Sequence, residues 1–235
     1  MQEETMRKTS RTKLLLRSAF ILLPCALALS VSGCDQIGAL GGLVARNIPR
    51  HVDAAYKGLA GKSVIVMVEM DRSMRMDYPD LQLDLAGSLQ SKLIAIARDQ
   101  KPDLMKGTTF PVSPKAVVLE QENHPEWATT EDITTTAAKF NGDRLIYVYV
   151  DEFATHAGAE ELFRGTLKGG IKVIEMKDGK AKLAFHEEDI SVLYPKDSPN
   201  DGLPIGTESK IAEGTIEAFT DEVAKRFYPH DEDRD

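Results

Sequence analysis

The sequence predicts an α/β protein built on a mixed sheet of about five strands, in the order β-α-β-α-β-β-β-α. Three observations carry this. Lys62 to Met70 (KSVIVMVEM) is almost continuously apolar, as expected of a strand buried on both faces. Leu81, Leu85, Leu89, Leu93 and Ile96 repeat at helical spacing. Asp178-Gly179, a preferred two-residue hairpin turn, separates two long strand-like segments.

Taken in chain order, Lys62–Met70 is the first strand. Asp77-Tyr78-Pro79-Asp80 then opens the leucine-striped helix: proline suits a first turn, and Asp80 and Asp84 favour the positive end of the helix dipole. Arg98 stands near the end of that helix, and Pro102 prevents continuation. Lys115 to Gln121 (KAVVLEQ) reads as a second short strand. Thr129-x-x-Asp132 resembles a helix start, followed by Ile133, Ala137 and Phe140 on one face and a stop at Asn141-Gly142. Arg144 to Val150 (RLIYVYV) is the strongest strand, aliphatic and aromatic after its first residue. Leu162–Met176 and Ala181–Leu193 flank the turn; the strand boundary around Gly165, Gly169 and Gly170 stays open, and in an antiparallel ribbon such glycines mark bulges or close backbone approach. Tyr194–Gly206 reads as a loop. Thr207 caps a last helix that places Ala212, Ile216, Phe219, Val223 and Phe227 on one face, and Pro229 ends it. Two βα units followed by a hairpin make a sheet that is parallel at first and antiparallel at one edge.

The N-terminus has its own logic. Arg7, Lys8, Arg11, Lys13 and Arg17 precede an apolar run from Ser18 to Ser30, which is too short to span a bilayer comfortably but suits a signal-peptide core. Val31-Ser32-Gly33-Cys34 follows, and it resembles the bacterial lipobox. That resemblance implies diacylglyceryl transfer to the Cys34 thiol, cleavage between Gly33 and Cys34, and acylation of the new amine. Residues 1–33 are then a signal peptide and 34–61 a lipidated cysteine with a Gly/Ala-rich tether. Residues 62–228 form one α/β domain and 229–235 an acidic tail. Several acyl chains together anchor firmly where one is marginal. The expected location is the cell membrane or outer membrane, facing the periplasm.

Composition narrows the function classes. The 235 residues carry 29 Lys/Arg and 37 Asp/Glu, a formal charge of −8. Cleavage before Cys34 removes five basic and two acidic residues, leaving 24 against 35 and a net charge of −11. Such a surface argues against nucleic acid or anionic lipid as a partner, because phosphate contacts need cationic side chains. Cys25 leaves with the leader and Cys34 becomes a thioether, so the mature body offers no disulfide, cysteine zinc site or cysteine nucleophile.

The element order and the lipidated start together resemble the domain shared by the N-terminal part of TolB, the curli secretion lipoproteins and the lipoproteins that activate penicillin-binding proteins. The matching features are the buried strand Val64–Val68, the helix from Leu81, the strand Leu145–Val150 and the closing hairpin. The resemblance implies a TolB N-terminal-like α/β domain over roughly residues 62–228. No pair of long alternating segments suits the transmembrane barrel of the pore-forming curli member.

Chemistry-bearing residues are sparse. His51, His124, His156, His186 and His230 show no metal-ligand spacing. Glu187-Glu188-Asp189 and Asp231-Glu232-Asp233 lack the spacing of a calcium loop. Ser88 is not on a strand-to-helix elbow, and Gly165–Gly170 lacks phosphate-loop spacing. The expectation is a non-catalytic protein without a cofactor or metal, acting as an assembly or adaptor component that binds an envelope protein or itself. Trp127 and Tyr78 are the candidate partner-binding residues. The alternative is a small-molecule or copper-binding lipoprotein using Met67, Met70, Met74 and Met76, since clustered thioethers suit copper(I).

Overall fold

The computed structural model describes residues 49–99, 103–124, 139–156, 162–178, 180–196, 203–204 and 208–232. Gly33, Cys34, Trp127, the helix expected from Thr129 and the capping Thr207 lie outside the described residues. The main compact unit comprises residues 52–230. In the smaller unit His51 Nδ1 lies 3.0 Å from Asp231 Oδ1.

The described elements are β1 (Arg50–Val52), β2 (Val64–Met70), α1 (Arg72–Asp77), α2 (Leu81–Arg98), α3 (Pro114–Asn123), β3 (Arg144–His156), β4 (Leu162–Lys177), β5 (Lys180–Tyr194), β6 (Leu203–Pro204), α4 (Glu208–Lys225) and β7 (His230–Glu232). The main sheet is mixed and runs β2-β3-β4-β5, with the two-residue β6 added to β4. β2 and β3 are parallel in the register Val64↔Arg144 to Met70↔Val150. β3–β4 and β4–β5 are antiparallel. The mixed α/β class and the parallel-then-antiparallel arrangement agree with the sequence.

Every residue of β2 is buried, and alternate side chains enter two different cores. Val64, Val66, Val68 and Met70 meet Ile146, Val148 and Val150 on one face, under Leu81, Leu85, Leu89 and Leu93 of α2 and Ile216, Phe219 and Val223 of α4. Ile65 and Met67 join Leu145 and Ile174 on the other face, under Val117 of α3. The Asp178 turn residue adopts φ 52°, as the primed hairpin turn requires, and Lys177 pairs with Lys180 across it.

Three expectations are corrected and one open point is settled. Residues 115–121 are helical: Ser113 accepts a hydrogen bond from the Ala116 amide at 3.3 Å, and Pro114 takes the first helical position. That Ser-Pro start outweighs the strand preference of Val117 and Val118. The open strand boundary resolves into one continuous strand: β4 runs through Gly165, Gly169 and Gly170, with a register shift against β5 between Gly169 and Ile171 and close backbone approach at Gly169 and Gly170, as such glycines suggest. The folded unit also starts before Lys62. Ala54, Tyr56 and Leu59 are buried, and the Tyr56 amide donates to the Arg226 carbonyl at 2.9 Å, so this stretch is not free tether. Finally, the acidic tail is ordered at its beginning, where His230–Glu232 forms β7 and pairs with β1.

Gly165 sets how closely α4 approaches the sheet. A Cβ there would lie 1.6 Å from Thr215 Oγ1 and 3.2 Å from Ile211 Cγ2, so the helix rests against bare backbone.

Candidate functional site

Helices α2 and α4 lie on the same face of the sheet, and a groove of about 690 Å³ opens beside them. Asp84, Ser88, Ser91 and Lys92 line it from α2; Ser209, Ala212, Glu213, Ile216 and Glu217 line it from α4. The helix pattern explains the division. α2 turns its leucines to the sheet, which leaves Asp84, Ser88 and Ser91 on or beside the opposite face. α4 buries Ile216, Phe219 and Val223 and leaves Ser209, Glu213 and Glu217 exposed.

Two contacts fasten the helices to each other. Ser88 Oγ lies 2.9 Å from Thr220 Oγ1, and Lys92 Nζ lies 2.5 Å from Asp221 Oδ1 and 3.9 Å from Glu217 Oε1. The lysine charge is thereby matched within the protein. Asp84 and Glu213 remain as carboxylates facing the groove. Burial raises the Asp84 carboxyl above the usual carboxylate range, and neighbouring Asp80 adds to the rise.

Gly87 stands one turn from both Asp84 and Ser91 on α2 but does not itself line the groove. It lies in the middle of a long helix, and a Cβ built there would meet nothing within 4 Å. Nothing among the described residues requires that position to be glycine.

A second polar cluster lies at the C-terminal end of β2. Glu69 accepts from Arg75 Nη1 at 2.8 Å and from Gln121 Nε2 at 2.9 Å. Gln82 and Gln121 both donate to the Val68 carbonyl, at 2.8 and 2.9 Å. Gln121 Oε1 is buried without a hydrogen-bond partner among the described residues. Burial, and then Glu69, pushes the Tyr147 phenol upward. These groups are engaged chiefly with the chain itself, and they read as the closure of a sheet edge.

Of the residues singled out from sequence, Tyr78 is half-buried and its ring meets Phe153 edge-on at 4.8 Å, which packs it at the rim of the core. The methionines do not converge. Met67 enters one core, Met70 and Met74 enter the other, and Met76 is 74% exposed. The His124, His156 and His186 rings lie 3.7 Å from Glu120, 3.2 Å from Thr155 and 3.2 Å from Glu188, and the His230 ring lies 3.2 Å from the Tyr228 carbonyl. Among the described residues no three His, Cys, Asp or Glu side chains gather where they could hold a metal ion. Nor, among those residues, is any helix long and apolar enough to cross a membrane.

The groove was not visible in the sequence, because its walls are brought together by Lys92–Asp221 and Ser88–Thr220 contacts between distant segments.

No protein-family model matches the chain, and no curated protein sequence matches it. Solved structures do show similarity. Lipoprotein GNA1162 from Neisseria meningitidis is 12% identical with a TM-score of 0.39, covering 69% of this chain and 97% of that one. The PelC dodecamer from Paraburkholderia phytofirmans is 12% identical with a TM-score of 0.39, covering 77% and 99%. The hypothetical protein CT253 from Chlamydia trachomatis is 14% identical with a TM-score of 0.38, covering 71% and 97%. The neighbours thus include a lipoprotein, at a level of similarity that carries no inference about activity.

Proposed function

We propose that the protein is a lipid-anchored lipoprotein of the bacterial cell envelope whose TolB N-terminal-like α/β domain serves as a non-catalytic assembly or adaptor module. The observation that carries this reading is Val31-Ser32-Gly33-Cys34, placed directly after a basic and then apolar leader. Acylation of Cys34 would hold the domain at a membrane surface. An open groove between two surface helices suits recognition of another macromolecule better than enclosure of a small substrate, which needs a pocket that buries most of the ligand.

The test of the anchor is metabolic labelling with an alkyne analogue of palmitate, comparing wild type with Cys34→Ala. Incorporation in the wild type, its loss in the variant and release of the variant into the soluble fraction are expected. Equal labelling of both chains sinks the reading. The adaptor role is tested by crosslinking in intact cells followed by mass spectrometry, where recovery of neither an envelope protein nor a self-contact would refute it.

A further inference from the structure

We infer that one end of the main sheet, where Lys62, Lys106, Lys177, Lys180 and Lys182 gather, docks on the anionic phospholipid headgroups of the membrane that holds the acyl anchor. The inference rests on the lipoprotein reading and deepens it by naming the face turned to the bilayer.

Strand register assembles this end. β2 starts at Val64 opposite Arg144, the first residue of β3, and Arg144 lies opposite Glu175 near the end of β4. The hairpin then sets Lys177 against Lys180 and Glu175 against Lys182. Lys62 directly precedes Ser63 and β2, and the Gly61 amide donates to the Lys106 carbonyl at 2.9 Å. Lysines from separate segments thus share one end of the domain.

Little neutralises their charge. Asp143 is held by the Ser63 amide and hydroxyl, both at 2.9 Å, and Glu175 by Tyr56 and Arg144. Lys106, Lys177, Lys180 and Lys182 are exposed and form no ion pair among the described residues. Asp103 and Asp178 stand exposed beside them, two carboxylates against five lysines. At the other end of the strands the sign reverses. Asp151 follows Val150, the partner of Met70, and burial, then Asp189 and Glu188, raise its carboxyl. The formal charge of −8 averages two unlike ends, so its repulsion of anionic lipid does not extend to the lysine end.

The point of chain entry selects a membrane over other anions. The main compact unit begins at Val52, eighteen positions after Cys34. Its first buried stretch is fixed at the lysine end, where Tyr56 donates to Glu175 and Arg144 Nε donates to the Gly58 carbonyl at 3.2 Å. An acylated Cys34 draws this end toward the headgroups. An acyl anchor and a basic surface acting together bind more firmly than either alone.

The test uses the acylated protein from its native cells, mixed with vesicles of phosphatidylcholine alone or with phosphatidylglycerol added. Lipidation occupies the Cys34 thiol, so a fluorophore attaches only at an introduced cysteine: Ala60→Cys at the lysine end, or Met76→Cys beyond the last residue of β2. Both positions are exposed, and the seven-residue β2 separates them by about 20 Å. With phosphatidylglycerol present, a headgroup-nitroxide lipid is expected to quench position 60 at least about two-fold more than position 76. That excess should vanish in phosphatidylcholine alone and in Lys106→Glu/Lys180→Glu/Lys182→Glu. If the triple glutamate variant does not fold, Lys106→Gln/Lys180→Gln/Lys182→Gln replaces it, with a smaller loss expected. Equal quenching at the two positions, stronger quenching at 76, or an excess unchanged by the lysine substitutions or by removing phosphatidylglycerol overturns the inference and leaves the anchor standing. A protein that stays off phosphatidylcholine vesicles lacks the anchor and defeats the lipoprotein reading. Lysine-dependent binding to phosphatidylglycerol vesicles then still supports the face, and its absence defeats both.

Discussion

The hydroxyl oxygen of Thr215 lies 1.6 Å from the point where Gly165 would carry a Cβ, so helix α4 and strand β4 touch through a missing side chain. The same hydroxyl donates to the Ile211 carbonyl at 2.6 Å, which holds it in that position. Gly165→Ala must therefore push the helix outward or break that bond. A loss of about 1–3 kcal/mol is expected, as for other overpacked interiors. Denaturant unfolding measures it. Thr215→Ala on the Gly165→Ala background should recover part of the loss, and strict additivity of the two changes would contradict the contact.

Tyr56 joins two charged residues of the sheet. Its hydroxyl donates to Glu175 Oε1 at 2.8 Å and accepts from Arg144 Nε at 2.8 Å. Burial, reinforced by the bond to Glu175, raises the phenol from 10.0 to about 12. The folded state thus holds this proton more tightly than the unfolded state. The stabilisation is complete below pH 10 and fades as the pH rises toward about 12. Titrating tyrosinate absorbance against unfolding midpoint should show this decline in the wild type and a weaker one in Tyr56→Phe. An identical alkaline profile in the two proteins would remove Tyr56 as the cause.

Arg75 is the cationic partner of Glu69, a carboxylate that is mostly buried at the end of β2. Arg75→Ala leaves the Glu69 carboxylate with the Gln121 amide as donor and without its cation, and should cost about 1–3 kcal/mol. Adding Glu69→Gln removes the uncompensated charge and is expected to restore part of that stability. A double-mutant cycle from thermal melts gives the coupling, and zero coupling would show that the pair contributes nothing.

Gly87→Ala should move the other way. Its methyl group meets open space, and alanine relieves the helix of glycine's backbone freedom, for a gain of roughly 0.5–1 kcal/mol. A lowered melting temperature would mean that the site is crowded after all.

Local chemistry carried most of the legible fold. Val64–Met70 announced itself by composition, the leucine stripe by period, and the hairpin by Asp178-Gly179. At 115–121 the adjacent Val117 and Val118 favour a strand, while the Ser113-Pro114 start nucleates the helix that forms. The six-residue helix α1 was missed because Arg72–Asp77 has no apolar period, although Asp71 caps it by accepting from the Met74 amide at 2.7 Å. The candidate site was hardly legible, for a different reason. Asp84 and Glu213 are ordinary exposed acids in sequence, and only the packing of α2 beside α4 gives them a common groove.

The paired glutamines on the Val68 carbonyl bear on how copies of the protein behave when crowded. β2 stands at one end of the strand order among the described residues, and such an edge invites pairing with a neighbour's strand. Gln82 and Gln121 occupy that carbonyl from two different helices, so an incoming strand would have to displace both. Two side-chain amides thus shield that backbone acceptor where β2 ends the strand order.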